Sequence, residues 1–583
     1  MAEVGNQVTR RQVLLGAGAM SAALGAAGLL PLKAHAVSRW DHDADIVVVG
    51  SGAGACTAAL IAHQLGSSTI MIEKASFVGG TTLKSAGVLW VPNNFALRAK
   101  GIQDRKEDCL RYMARYSYPE RYAPDQPNLG LHPREYRLLE AFYDNASKAI
   151  DALRGMGALR VAEWRGFTGD TIAVDYLDHV PENKVPTGRA LGPVGADGSV
   201  GYGSDLISQL HAALQERSVP ILLEHRATRL VMDGAGRVVG VEAQTGDRVV
   251  RLRARKAVIF ATGGFAHNAE LTDMYQRVRL YGSCAMPSAT GDFIGIAAAA
   301  GAKLGNMSGA WRTQVVLDEA LNSRLLGQGV FFPPGDSMLQ VNRYGRRVVN
   351  EKRNYNDRTE VHGVFDSSLA EYPNQLLFMI YDLRTAEAFA GAYPLPVTPT
   401  GAPHVLHAQS LEGLAERLSA RLKEVAAHTG GLSLAPSFVA NLKETISRFN
   451  AFARSGQDLD FGRGSAEYDR VWHGVFSPMQ AGTRWPRNDG PNVTMYPLSE
   501  KGPYFAVILA PGALDTNGGP LIDPSARVLG GNDEPIPGLY GAGNCIASPS
   551  RYAYWGAGHT LAQTVTFGYI AANAAHLEPR TAT

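Results

Sequence analysis

The stretch Asp43–Lys74, DADIVVVGSGAGACTAALIAHQLGSSTIMIEK, constrains the fold more than any other. Ile46-Val47-Val48-Val49 is a β-branched run of the kind found in a strand buried on both faces. Gly50-Ser51-Gly52-Ala53-Gly54-Ala55 then makes a tight turn without bulky side chains. Cys56 to Leu65 reads as a helix, with Ala58, Ala59, Ile61 and Ala62 toward the sheet. Thr69 to Ile72 reads as a second strand, ended by Glu73. Strand, glycine turn, helix, strand and acid make a dinucleotide-binding βαβ unit. Residues Gly50, Gly52, Ala53, Gly54 and Ala55 would bring backbone N–H groups to a pyrophosphate at the start of the helix. Glu73, about 20 residues further on, is placed to accept hydrogen bonds from a ribose.

At 583 residues the chain is too long for one simple core, so two or more domains are expected. A net charge of +2 without any Lys/Arg-rich run argues against nucleic acid as a partner. The four cysteines, Cys56, Cys109, Cys284 and Cys545, are scattered. No CxxC spacing is present, which disfavours zinc, iron–sulfur and attached-haem sites, and no metal is expected.

The N-terminus reads as a leader rather than as fold. Thr9-Arg10-Arg11-Gln12-Val13-Leu14 has the twin-arginine pattern, a weakly apolar stretch runs to Leu30, and Ala34-His35-Ala36 is an A-x-A cleavage site. Residues 1–36 are therefore expected to be a twin-arginine signal peptide directing export to the periplasm. Retention of the segment as a membrane anchor is the alternative.

Further along, Lys74 leads into Gly79-Gly80-Thr81-Thr82 and Ser85-Ala86-Gly87, a second glycine- and hydroxyl-rich loop that extends a backbone cradle. Gln103 to Met156 has helical apolar spacing. Thr171 to Leu191 is polar, carries Tyr176, His179, Asn183 and Arg189, and reads equally as a site lining or a surface loop. A helix over Gly201–Leu214, a strand at Ile221–Leu223 and a hairpin over Arg229–Val241 follow. Lys256 to Phe265 is a buried strand entering a Gly263-Gly264 turn, and Thr290-Gly291-Asp292 opens an alanine-rich helix. From Gly309 the composition shifts. Strand–turn–strand over Met338–Val349, a strand at Leu377–Asp382 and helices over Ser410–Phe452 suggest an inserted α+β domain. Tyr504–Leu509 returns to strand, Gly538–Asn544 ends a strand in glycines, and Gly556-Ala557-Gly558 opens a last helix.

Taken with Ala261-Thr262-Gly263-Gly264, Gly291-Asp292, Asn350-Glu351 and Gly538-Leu-Tyr-Gly-Ala-Gly-Asn544, these elements resemble the fumarate reductase/3-ketosteroid dehydrogenase superfamily over nearly the whole mature chain. The resemblance implies an α/β fold. A Rossmann-like FAD-binding domain would be built from two segments, 43–308 and 502–576, around an inserted substrate domain over 309–501. It implies FAD as cofactor, held without a covalent bond. Contacts would come from Lys74, Gly80, Thr81, Thr82, Ser85, Ala86, Gly87, Ala227, Thr262, Gly263, Asp292, Gly543, Asn544, Gly558, Thr560 and Leu561 as well as the first glycine turn and Glu73.

Finer motifs are closest to the 3-ketosteroid Δ1-dehydrogenase branch. They are Gly87-Val-Leu-Trp90-Val-Pro92-Asn93-Asn94, Phe461-Gly-Arg-Gly464 with Tyr468-Asp469-Arg470, and Tyr554-Trp-Gly556-Ala-Gly558 with Thr566-Phe-Gly-Tyr569. Where fumarate reductases carry a proton-donating arginine after the Asn-Glu pair, this chain has Tyr355, with Arg353 and Arg358 off register. The resemblance implies that Tyr355 removes an α-proton from a cyclic ketone. Tyr554 and the Gly558 N–H would hold the carbonyl oxygen, and FAD would take a β-hydride. The family's helper tyrosine falls within Tyr176–Pro181, and His179 occupies the position expected for it, with Tyr176 three residues earlier. Trp555 and His559 are bulkier or more polar than expected, implying a pocket not shaped for ordinary steroids. The expected partners are a cyclic ketone or steroid and an electron acceptor such as quinone, with peripheral membrane association. The alternative function is reduction of an activated alkene, as in the fumarate reductases.

Overall fold

The β-branched run becomes the middle of a sheet. In a computed structural model of the chain, which describes residues 39–166, 172–327, 330–475 and 485–581, the strand His42–Val49 lies between Thr69–Ile72 and Arg248–Phe260. It is parallel to both, with Val48 paired to Met71 and to Ile259. Ile46 to Val49 are buried, as an uninterrupted apolar strand requires. Ile221–Leu222 extends the sheet on one side. Pro535–Gly541 and Arg527–Leu529 extend it on the other, and the hairpin Arg226–Met232/Val238–Thr245 joins through Arg248–Phe260. Five of these strands run parallel, so their carboxyl ends share one edge, where ligands bind in sheets of this kind.

The helix Ala53–Gln64 packs against the C-terminal helix His559–His576 at a glycine crossing. A Cβ on Gly54 would lie 2.6 Å from Thr564 Cγ2, and one on Gly568 would lie 2.5 Å from the Gly54 oxygen. Only residues without a side chain allow that approach. It brings the start of both helices to the same edge of the sheet.

A second sheet orders Ala310–Val316, Tyr504–Thr516, Leu377–Asp382 and Met338–Val341, all antiparallel, with Leu406–Ala408 also on Tyr504–Thr516. Helices Leu411–Glu424 and Phe438–Ser455 cover it through Leu414, Leu418, Leu442 and Ile446. The expected boundary at 502 falls just before a strand of this sheet. Tyr504–Thr516 is an inner strand, paired on both sides, and its apolar run is buried between those neighbours.

Other expectations shift locally. Met338–Val349 is one strand and an isolated bridge, Val341 to Arg347. Arg347 turns instead to Glu351 and Asp458, in a buried ion pair with each. Gln103–Met156 is two helices, Lys106–Ser117 and Pro133–Gly155, the second started by Pro133 behind the His132 cap. The leader over 1–36 lies outside the described residues.

A third sheet, Leu89–Trp90, Ala190–Pro193 and Val161–Glu163, anchors the polar segment whose role the sequence left open. Arg189 is buried. It donates to Asp104 at 2.7 and 2.8 Å, to Asp175 at 2.6 Å and to Asn183 at 3.0 Å, while Trp90 Nε1 donates to the other Asp175 oxygen at 2.7 Å. Burial pushes Asp175 up to about 6 even so. Arg189→Ala would strand two buried carboxylates and should cost about 3–5 kcal/mol of stability, readable in denaturant unfolding.

Candidate active site

One cavity opens at the carboxyl edge of the parallel sheet and runs from the first glycine turn to a cluster of tyrosines at the face of the second domain. At its near end Gly50 has φ +109°, and a Cβ there would lie 2.4 Å from the Ala261 oxygen. The helix Ala53–Gln64 starts at Gly52 with no side chain of its own as a cap, leaving the N–H groups of Gly54 and Ala55 in its first turn to a ligand. Glu73 accepts from Ser51 Oγ at 2.7 Å and from the Ala75 N–H at 2.8 Å, which fixes the carboxylate at the end of the second strand. Asp292 is held by Lys74 at 2.9 Å and Arg226 at 2.8 Å. Burial opposes its charge, but these two partners keep the carboxyl below its ordinary range.

Of the positions expected to hold the cofactor, Gly50, Gly52, Gly54, Glu73, Lys74, Gly80, Thr81, Thr82, Ser85, Ala86 and Gly87 line this cavity. So do Ala227, Thr262, Gly263, Asp292, Gly543, Asn544, Gly558, Thr560 and Leu561. Ala53 and Ala55 do not. Their side chains pack inside the helix–sheet layer, and the Ala53 N–H donates to Thr82 Oγ1 at 3.1 Å.

At the far end three phenols converge. Tyr176 O–H donates to Tyr355 Oη at 2.8 Å. The Tyr176 ring stacks on Tyr554 with centroids 5.3 Å apart and planes 18° apart, and Tyr355 meets Tyr554 edge-on at 5.4 Å. Tyr355 opens the short helix Tyr355–Thr359, capped by Asn354. Tyr554 contacts Thr560 Oγ1 at 3.1 Å. Gly558 caps the C-terminal helix at φ +89°, and its N–H has no acceptor among the described residues. Burial pushes Tyr176, Tyr355 and Tyr554 above the ordinary tyrosine value, and for Tyr355 the neighbouring Tyr176 and Tyr554 phenols add to it.

His179 is not part of this cluster. It is exposed at the surface, 3.4 Å from Asp178, because the backbone after Tyr176 turns outward while Tyr176 is buried. Tyr176, three residues earlier, is the one that meets Tyr355. Trp555 and His559 also lie off the cavity wall. Trp555 donates to Ser117 Oγ at 2.9 Å, and His559 pairs with Ser550 Oγ at 2.8 Å. Burial drops His559 to about 3, so it is neutral at working pH.

Sequence reasoning missed further parts of the wall, among them Trp164, Trp311, Phe332, Trp472 and Asp515. Phe332 lies flat on Trp472 at 5.0 Å, and Trp311 Nε1 donates to Asn544 Oδ1 at 2.9 Å. Single aromatics spread over a strand, a helix and separate loops share no spacing that could have marked them. Asp515 takes N–H bonds from Gly264 and Thr516 and the Asn544 amide, and burial lifts it to about 6.

A long cavity with an uncapped helix start, a ribose-ready acid at one end and a reactive cluster at the other fits an extended dinucleotide. Residues 45–561 match the FAD binding domain model. The chain belongs to the FAD binding domain family. It is 32% identical to the 4-oxocyclohexanecarboxylate 2-dehydrogenase of Sinomonas cyclohexanicum, with 90% of this chain and 92% of that one covered. It is 30% identical to a 3-oxosteroid 1-dehydrogenase of Mycolicibacterium smegmatis, covering 91% and 96%. The solved 3-ketosteroid Δ1-dehydrogenase of Sterolibacterium denitrificans, in complex with 1,4-androstadiene-3,17-dione, superposes with a TM-score of 0.74 at 26% identity, over 92% of this chain and 99% of that one. This flavoprotein is an FAD-dependent dehydrogenase acting on CH–CH bonds.

Glu73→Ala should weaken FAD binding roughly 10- to 100-fold, the scale of a hydrogen bond to a charged group. Titration of apoprotein with FAD, followed by flavin fluorescence, checks this. Glu73→Gln should recover part of the loss, since its oxygen can still accept.

Proposed function

We propose that this enzyme desaturates a cyclic ketone, either a 3-ketosteroid or a smaller ring of the 4-oxocyclohexanecarboxylate kind, to the α,β-unsaturated ketone. The observation that carries the reading is the convergence of Tyr355, Tyr176 and Tyr554 with the unengaged Gly558 N–H at the far end of the cofactor cavity.

Tyr554 O–H and the Gly558 N–H would donate to the ketone oxygen, where negative charge develops as the α-proton leaves. Tyr355, as phenolate, would take that proton, so the α C–H bond breaks and the Tyr355 O–H bond forms. Tyr176 O–H donates to Tyr355 and holds its oxygen in place at the far end of the cavity. Bound FAD supplies the hydride acceptor for the hydrogen on the β carbon. The aromatic walls of Trp164, Phe332 and Trp472 exclude water from the reacting ketone and offer apolar faces to its ring.

Fumarate-type reduction would need an arginine to deliver a proton. The arginines beside Tyr355 are committed elsewhere: Arg353 to Asp469 and the Tyr176 carbonyl, Arg358 to Gln314 and the Phe331 carbonyl. Neither lines the cavity. The twin-arginine pattern at Thr9–Leu14 and the Ala34–Ala36 site support export to the periplasm, with quinone or a soluble carrier as the final oxidant.

Anaerobic mixing of the holoenzyme with a panel of cyclic ketones tests this reading. Bleaching of the flavin by 4-oxocyclohexanecarboxylate or 4-androstene-3,17-dione, with the enone as product, is the expected result. A flavin that stays oxidised with every ketone, but is re-oxidised from its reduced form by fumarate, would overturn it.

A further inference from the structure

Lys84 lines the same cavity, and neither the cofactor cradle nor the tyrosine cluster uses it. It ends the short helical turn Gly80–Lys84. Its ammonium donates to the Leu326 carbonyl at 2.9 Å, and its two other N–H bonds have no acceptor among the described residues. The other lysine on the wall, Lys74, is paired with Asp292. Lys84 has no carboxylate partner among the described residues.

The carboxylates of the wall are engaged elsewhere. Ser51 donates to Glu73, Lys74 and Arg226 hold Asp292, and the Gly264 N–H and the Asn544 amide donate to Asp515. The groups behind Lys84 add no negative charge. The His267 ring contacts the Ala285 carbonyl at 2.8 Å, and burial keeps it neutral, helped by the positive charges of Arg324 and Lys84. Burial also draws Lys84 below the ordinary lysine value, as for a charge that has given up water without gaining a counter-ion.

The position is on the ketone side of the cavity. Ser85, Ala86, Gly87 and Val88 carry the wall onward from Lys84. Val88 packs against Gly558, where an added Cβ would lie 2.4 Å from the Val88 carbonyl. Four residues span at most about 14 Å, so the ammonium and the Gly558 N–H belong to one small chamber. The Cys284 thiol, also on the wall, acts electrostatically on both Lys84 and Tyr554. A ring whose ketone oxygen rests on Tyr554 and Gly558 would therefore lie beside an uncommitted positive charge.

We propose that Lys84 is a specificity-determining residue that receives a carboxylate carried by the cyclic ketone, so that the preferred substrate is an anionic keto acid and not a neutral steroid. The inference rests on the ketone-desaturase reading and narrows its substrate class. A lysine suits the task as a compact point charge on a flexible stem, able to meet a carboxylate without a fixed fork geometry.

The test compares 4-oxocyclohexanecarboxylate with its uncharged methyl ester in the FAD-loaded enzyme, using an artificial electron acceptor. Wild type should favour the acid by about 10- to 100-fold in kcat/KM, the scale of a hydrogen bond to a charged group, and mostly through KM. Added salt should weaken turnover of the acid and leave the ester unaffected. Lys84→Met should abolish the preference while the ester's constants and the FAD content stay within about twofold of wild type. Lys84→Arg should recover part of it. Wild type that treats acid and ester alike, or a Lys84→Met enzyme that loses both equally, would overturn the proposal. A second arm uses cyclohexanecarboxylate, which has no ketone to react, and reads its binding from the flavin absorbance. Lys84→Met should weaken that binding about 10- to 100-fold, and equal binding by both enzymes would overturn the proposal. Should neither acid, ester nor steroid bleach the flavin, the desaturase reading falls, and the second arm still decides whether Lys84 holds a carboxylate.

Discussion

Tyr355→Phe should lower kcat by about 10²–10⁴-fold, the range that a positioned general base contributes. The substitution removes one oxygen and keeps the ring, so the edge contacts to Tyr176, Phe332 and Tyr554 survive. Ligand binding and FAD content should change little, because the phosphate cradle begins at the opposite end of the cavity. The pH profile gives the sharper test. Burial pushes Tyr355 well above the ordinary tyrosine value, so the reactive phenolate is scarce at neutral pH and grows about tenfold per unit as pH rises. Wild-type kcat should therefore climb through the alkaline range without a plateau below the shifted pKa, and the variant should be flat. Steady-state turnover with an artificial acceptor over a pH series reads both. A variant that climbed in parallel with wild type would show that the titrating base is some other group.

The oxyanion side should fail differently. Tyr554→Phe removes one donor aimed at the ketone oxygen, and a loss of about 10²–10³ in kcat is expected. That donor tightens as charge grows on the oxygen, so most of the loss should appear in kcat rather than KM. Gly558→Ala should cost as much or more, and with a different signature. A Cβ there would lie 2.4 Å from the Val88 carbonyl carbon and oxygen, at a backbone φ of +89° that alanine adopts only under strain. The strain, of order 1–3 kcal/mol, would move the N–H and the start of the last helix together. Tyr554→Phe should keep its FAD; Gly558→Ala should also bind FAD more weakly, because Thr560 and Leu561 line the same cavity one turn on. Paired kinetics and flavin content on the two variants separate a lost donor from a displaced backbone.

The cofactor half of the site was legible because its signals are local. A β-branched strand, a glycine turn and an acid at the end of the next strand must lie close in space if they fold at all, and Gly50, Gly54 and Glu73 stand at the cavity edge. Tyr355 and Tyr554 could be singled out by their place in motifs that sit on helix starts. The helper could not. Tyr176 and His179 share a stretch without periodicity, and which of them turns inward is decided by distant groups, Arg189 with Asp104 and Asp175, that hold the preceding residue. The aromatic wall was invisible for the same reason, as was the membership of Tyr504–Thr516, since an apolar run does not say which sheet will receive it.

That strand has a practical consequence for anyone who would dissect the enzyme. Its first half pairs with Leu377–Asp382 and its second with Ala310–Val316, and Asp515 and Thr516 at its end accept the N–H groups of Gly264 and Phe265 beside the flavin cavity. A fragment ending at 501 would expose two unpaired strand edges where one backbone had joined them, a template for aggregation. The same backbone is a mechanical link. Loading the flavin site should slow amide hydrogen exchange along Tyr504–Thr516, deep in the other domain, so each half reports on the occupancy of its neighbour.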